Sequence, residues 1–244
     1  MSGLDESALE RVRQDLVVHS VDAGSIVCQG GEPTRHWIGV FSGLLLMGSG
    51  AEHAPLSMHA VAPGGWIGDD TLAGEERWPA DLRALRKCQI GMLPADTYFW
   101  LRERSLTFTQ LLLARLEQRL RQCSRHLQHG RPHGADERVA QTLLGLFDPV
   151  LHPAVGQSLR ITQEELAEIC RLSRQRVNQA LQRLALEGAL RLRYGGLELA
   201  GIHGLRAFAQ RSGAVAAADG GGDQPTGTAD TPGAPLLDGE PSCA

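Results

Sequence analysis

Residues 161–190 read ITQEELAEICRLSRQRVNQALQRLALEGAL. Thr162, followed three residues later by Glu165, is the pairing that starts a helix, each side chain serving the other's backbone N–H. Leu166, Ile169 and Cys170 then repeat at helical spacing and predict a buried face. Arg171-Leu172 ends this helix, and Ser173 is placed to cap a second. Val177, Leu181 and Leu184 give the second helix one apolar stripe. Its other side, near the start, carries Arg174, Gln175, Asn178 and Gln179. Arg and Gln can make paired hydrogen bonds to base edges. A short helix, a tight turn and a second helix with a polar tip predict a DNA-binding helix-turn-helix.

Charge separates this reading from an ordinary amphipathic helix pair with a solvated face. Six arginines lie between Arg171 and Arg193 against one acid, Glu187, although the whole chain has a net charge of −4. Next comes LRLRYGGLELAG, residues 190–201: an alternating strand, a Gly-Gly turn and a second strand. That is a β-hairpin in the position of a wing, with Arg193 directed at the phosphate backbone. Motif, local charge and wing agree.

The net charge looks wrong for a DNA-binding protein until the last stretch is set apart. Residues 212–244 hold five acids and no base, which leaves 24 bases against 23 acids in the rest. A near-neutral body with a local basic patch suits a sequence-specific regulator better than a general nucleic-acid coat. Lys87 is the single lysine among the 24 basic residues, and arginine favours planar, bidentate contacts to phosphate and guanine. The 244 residues allow two modest domains. Cys28, Cys88, Cys123, Cys170 and Cys243 are scattered, odd in number and without a CxxC. This points to a reducing compartment and away from a disulfide framework or a paired-cysteine zinc site. MSGLDESALERVRQ at the start has early acids and no apolar run, so neither a secretory leader nor a membrane span is expected, and the location expected is cytoplasmic.

Leu4, Ala8, Val12 and Leu16 predict a first amphipathic helix over residues 4–18. From Val21 the texture changes to short β-type runs with glycine corners, in VDAGSIVCQGGEPTRHWIGVFSGLLLMGSG, LSMHAVAPGGWIGDD and ADLRALRKCQIGMLPA. Such a run predicts a small antiparallel barrel or roll over residues 1–94. Residues 95–128 contain no Gly or Pro and read as one long helix. On it Leu106, Leu113, Leu120 and Leu127 lie seven apart, with Thr109, Leu116 and Cys123 between them. That seam predicts a parallel dimer over a segment of residues 95–130; a single wide core stripe is the plainer alternative. Phe108, Leu111 and Leu112 lie off the seam and are expected to pack on the roll. HGRPHGA, residues 129–135, is the hinge to a domain of residues 131–211 with helices near 136–147 and 202–210. The stretch 212–244 has eleven Gly plus Pro and no aromatic residue, so a disordered tail is expected.

GSIVCQGGEP, WIGVFSG and PGGWIGDD, then a long helix, then the 161–190 segment, resemble the cyclic-AMP receptor and fumarate–nitrate-reductase regulator family of bacterial transcription factors. The resemblance covers roughly residues 15–208 and is most specific in the helix-turn-helix. It implies an α+β chain: an N-terminal antiparallel roll like a cyclic-nucleotide-binding domain, a long dimerisation helix and a C-terminal winged helix-turn-helix. It implies a homodimer on palindromic double-stranded DNA, with RNA polymerase as a further partner, no enzyme activity and no membrane. By the match Arg174 takes the guanine-reading place, and Gln175 and Gln179 the other base-reading places. Ser173, Arg176 and Gln163 match phosphate-contacting positions.

For the effector, the resemblance points to IGDDTLAGEERWPA. Gly68 and Asp69 stand where relatives hold a ribose. Trp78 and Pro79 stand where an Arg-Ser pair holds the cyclic phosphate, with Arg77 one place early. Trp carries no cation and Pro no N–H, so cyclic AMP is not expected to bind. Cys123 and Ser124 fall near the family's base-contacting pair. No cysteine cluster precedes Cys28, so an iron–sulfur sensor is not expected. His126, His129 and His133 form an HxxH with one more His at a helix end, read as solvated and not as a metal site. Haem stays open, since axial ligation needs only a His or Cys. The rival class is a cupin-like metal-dependent enzyme or small-molecule-binding roll fused to a DNA-binding domain; His36, His53 and His59 form no HxH pair for it.

Overall fold

The computed structural model describes residues 4–48, 59–74, 76–128 and 134–210, with the side chains of 125–128 outside that description. Asp5 caps α1 (Glu6–Asp15) by accepting from the Ala8 N–H, and Ala8 and Val12 are buried. Two antiparallel four-stranded sheets follow. One has the order β1 (Val17–Val21), β8 (Cys88–Pro94), β3 (His36–Ser42) and β6 (Trp66–Ile67). The other runs β2 (Ile26–Cys28), β7 (Leu82–Ala84), β4 (Leu45–Met47) and β5 (His59–Val61). Ile38, Val40 and Ile90 from the first meet Leu45, Val61 and Leu82 from the second in one core. This is the roll that the glycine-cornered runs predict. Gly39 is required there by close approach: a Cβ would lie 2.6 Å from the Trp66 ring, which stacks on Trp37 at 4.2 Å. Between β6 and β7 lies α2 (Asp69–Ala73).

The 95–128 helix is not continuous. It divides into α3 (Ala95–Arg104) and α4 (Leu106–Gln128) at Ser105, whose backbone is extended (φ −114°, ψ 104°). Neither Gly nor Pro causes the break. The Ser105 hydroxyl accepts from the Phe108 N–H at 3.3 Å and so starts a new helix. The bend lets Phe108 turn inward, edge-on to Trp37 at 5.3 Å and to Tyr98 at 5.8 Å. Leu111 and Leu112 pack against the same cluster, as their off-seam positions predict.

The C-terminal part holds α5 (Ala135–Leu146), α6 (Gln163–Cys170), α7 (Arg174–Leu186) and α8 (Ile202–Ala209). Its three-stranded sheet has the order β10 (Leu190–Arg193), β11 (Gly196–Leu199) and β9 (Ser158–Arg160). The hairpin turns on Tyr194-Gly195, one residue before the Gly-Gly turn that the sequence predicts, because Gly196 already pairs with Arg193 in the ladder. β9 pairs antiparallel with β11 and completes the sheet. Leu44, Leu46, Ala60 and Ala62 of the roll share one core with Val139, Leu143, Leu159 and Leu166. Ion pairs join the same parts: Arg86 to Glu165 at 2.8 Å, and Arg83 to Glu168. No helix among the described residues is long and apolar enough to cross a membrane. Leu127, His126, His129, His133 and the stretch 212–244 fall outside the described side chains and residues.

Candidate nucleic-acid interface and effector pocket

Local chemistry builds the reading head. The Thr162 hydroxyl accepts from the Glu165 N–H at 3.1 Å, and the Glu165 carboxylate accepts from the Thr162 N–H at 2.8 Å. Arg171 ends α6 in the left-handed region (φ 50°), the one such non-glycine residue among those described. A left-handed side-chain-bearing residue costs roughly 1 kcal/mol. Arg138 helps hold the turn by donating to the Cys170 and Arg171 carbonyls, both at 2.8 Å. The Ser173 hydroxyl accepts from the Arg176 N–H at 3.3 Å and starts α7. Val177, Ala180, Leu181 and Leu184 are buried, which leaves the polar tip outside.

On that tip Arg174, Gln175 and Arg176 are exposed, and Asn178 and Gln179 half-buried. Gln163 donates to the Asn178 side-chain oxygen at 3.0 Å, tying the start of α6 to α7. Arg176 donates to Gln179 at 3.3 Å. Arg174 pairs with Glu164 at 2.9 Å. On the wing Arg193 pairs with Glu198 at 2.7 Å, and Arg191 lies 3.9 Å from the same carboxylate. Sequence reading missed Glu164 and Glu198. Glu198 had a signal, being cross-strand from Arg191 once the hairpin register is drawn. Glu164 had none, since its partner lies ten residues away across a turn.

The effector residues do not converge in the same way. Gly68 is left-handed (φ 100°), and a Cβ there would stand 3.1 Å from the Trp78 ring. Trp78 itself is buried in the roll core. The Asp69 side chain faces α4, 2.7 Å from Arg119 and 3.5 Å from Arg115. Arg115 also donates to the Trp66 carbonyl at 2.5 Å and to the Leu151 carbonyl at 3.4 Å. Gln118 hydrogen-bonds Asp148 beside it. Arg77 is exposed and donates to the Gly31 carbonyl at 2.7 Å. On α4 Cys123 is exposed and Ser124 half-buried. Trp78 alone of these lines an open cavity of about 310 Å3, together with Val27, Cys28, Glu32, Arg35, His36 and Met92. Burial pushes the Cys28 thiol up to about 12, and burial with nearby Arg35 lowers the His36 imidazole. Both groups are therefore neutral at pH 7, and the charged side chains on the cavity wall are Glu32 and Arg35.

Along α4, Leu106, Leu113, Leu116 and Leu120 are 73%, 54%, 60% and 65% exposed, while Phe108 and Arg115 on the other side are sealed.

Residues 18–105 match the cyclic nucleotide-binding domain, and residues 137–208 the Crp-like helix-turn-helix domain. The transcriptional regulator SdrP of Thermus thermophilus is 29% identical over 65% of this chain and 75% of its own length. The cyclic AMP receptor protein of the same organism is 31% identical over 57% of this chain and 62% of its own length. Among solved structures, FixK2 of Bradyrhizobium japonicum is 16% identical and shares the fold, with a TM-score of 0.60 over 79% of this chain and 96% of that one. The roll thus groups with regulators and not with cupin-like enzymes. Crossed with the capped reading head and its wing, these likenesses make the chain a DNA-binding transcription regulator of the cyclic-AMP receptor and fumarate–nitrate-reductase regulator family.

Proposed function

We propose that the chain acts as a homodimer that reads a palindromic duplex through two copies of α7, and that its roll answers to an effector other than a cyclic nucleotide. The observation that carries the dimer is the two-sided α4. One side is sealed by the roll, and the other presents leucines at heptad spacing to solvent. A second copy carries the same stripe, so a two-fold axis covers both at once. Cys123 lies on this seam, and Leu127 continues its spacing. The two half-sites then sit about one helical turn, 34–36 Å, apart.

In this reading Arg174 pairs with O6 and N7 of a guanine, and Gln175 and Gln179 read neighbouring bases. Gln163, Ser173, Arg176 and Arg193 meet phosphate, and Asn178 steadies Gln163. RNA polymerase as partner and a cytoplasmic location go with the regulator role. Trp78 and Pro79 supply neither a charge nor an N–H for a cyclic phosphate, which supports an effector other than a cyclic nucleotide. Selection of sites from random duplex should return a palindrome, and Arg174→Ala should relax one base pair in each half. Equal loss for every single-base variant would make Arg174 a backbone contact. Calorimetry with cyclic AMP should give no micromolar binding; a micromolar or tighter Kd would overturn the effector reading.

A further inference from the structure

We propose that Glu164 is a specificity-determining residue, acting on DNA through Arg174; the proposal rests on the reading of Arg174 as the guanine contact. The Glu164 carboxylate binds Arg174 through Nη1 at 2.9 Å. A guanidinium held at Nη1 still presents its Nε–Nη2 edge, which is a two-donor fork matching guanine O6 and N7. Both side chains are largely open, at 67% for Arg174 and 62% for Glu164, so the pair adds little to folding. Its consequence lies in which acceptor Arg174 takes. A phosphate is anionic and is repelled by the carboxylate that already occupies the guanidinium. Guanine acceptors are neutral and meet no such repulsion. Glu164 therefore biases Arg174 away from the backbone, where every sequence looks alike, and toward a base edge.

The neighbours sharpen the assignment. Arg176, a phosphate candidate, has the neutral Gln179 as its partner. On the wing one carboxylate, Glu198, faces both Arg191 and Arg193, so a positive charge is left over for phosphate. At Arg174 the pairing is one to one. The carboxylate is also next to Glu165, which is committed to the helix cap and to Arg86. Glu164 lies outside that structural pair.

The test uses the full-length dimer and a selected site, with Glu164→Gln, Arg174→Ala and the double variant measured against single-base variants and random duplex over a salt series. Glu164→Gln should lower discrimination at the Arg174 base pair about two- to fivefold, the range of an exposed ion pair. It should also steepen the salt dependence of random-duplex binding by about one unit per half-site, as a freed arginine finds phosphate. In the Arg174→Ala background the Gln change should do neither. If Arg174→Ala relaxes its base pair while Glu164→Gln leaves discrimination and salt slope at wild type, the role of Glu164 is wrong. If Arg174→Ala itself leaves discrimination intact, the base-reading assignment beneath it fails first. Equal effects of Glu164→Gln with and without Arg174 would show a direct Glu164 contact and overturn the route through Arg174.

Discussion

Two arginine–carboxylate pairs sit in opposite surroundings. Arg174 and Glu164 are 67% and 62% exposed at the tip of the reading head. Arg115 and Asp69 are 3% and 10% exposed between the roll and α4. In water the first pair exchanges partners at little cost, which suits the proposed move of Arg174 from Glu164 to DNA. The second is sealed, and its charges have no solvent to fall back on. Arg115 also reaches the Trp66 and Leu151 carbonyls, so one guanidinium ties together β6, α4 and the loop before β9. The contrast fits the proposed division of labour, in which the exposed pair serves DNA reading and the buried one holds the C-terminal part against the roll.

The strongest way to break this contrast is to separate the two copies of the proposed dimer. Leu120→Glu puts two charges into the seam of α4. The variant should sediment as a monomer at micromolar concentration and lose about 10²–10⁴-fold in affinity for a palindrome, the usual worth of joining two sites. A fully dimeric Leu120→Glu protein would rule out the seam. Next in size, Asp69→Ala leaves Arg115 buried without its carboxylate and should cost about 3–5 kcal/mol in urea unfolding. Glu164→Ala should cost less than about 1 kcal/mol. Equal losses would erase the distinction between the two pairs.

Acid should find the buried hub and miss the reading head. His152 is buried, its Nδ1 donating to the Gly145 carbonyl at 3.0 Å, with Asp148, His59 and Arg115 around it. Burial lowers its pKa from 6.5 to about 4. Between those values the unfolded chain takes up a proton that the folded chain refuses. Stability is thus full above about pH 6.5, falls as pH drops toward 4, and is flat in this respect below. The loss is about 3 kcal/mol for this group. His59 shares the window, lowered to about 4 by burial and by Arg119. His152→Gln should therefore flatten the slope, and an unchanged slope in urea titrations at pH 7, 5.5 and 4 would contradict the assignment.

The reading head was far more legible than the hub, for a reason of distance along the chain. Thr162 and Glu165 are three residues apart, and Leu106, Leu113 and Leu120 seven apart, so local helical geometry alone brings each set together. Ser105 gave no warning, because a serine inside a helical run caps only when a large residue such as Phe108 has somewhere to turn. Asp69 and Arg115 are 46 residues apart, and Arg86 and Glu165 79 apart. Such pairs depend on how the roll docks, which no spacing rule carries. Trp78 shows the boundary between the two cases. Its lack of charge was readable at once, but its burial beneath left-handed Gly68 needed the loop itself.

The smallest expected effect lies on the wing. Arg193 is 62% exposed and shares Glu198 with Arg191, which lies directly cross-strand from that carboxylate. Losing one of two arginines from a three-charge cluster leaves a neutral Arg191–Glu198 pair, where before one positive charge was available to phosphate. Arg193→Ala should therefore weaken selected and random duplex by the same factor and lower the salt slope by up to about one unit per half-site. Base preference should not move, because a phosphate contact carries no sequence information. Arg191→Ala should act alike, since either arginine can keep Glu198 and release the other. Arg174→Ala supplies the opposite pattern on the same protein, a change at one base pair worth about 1–3 kcal/mol. A wing variant that altered preference at a single base pair would place Arg193 in a groove and remove it from the backbone.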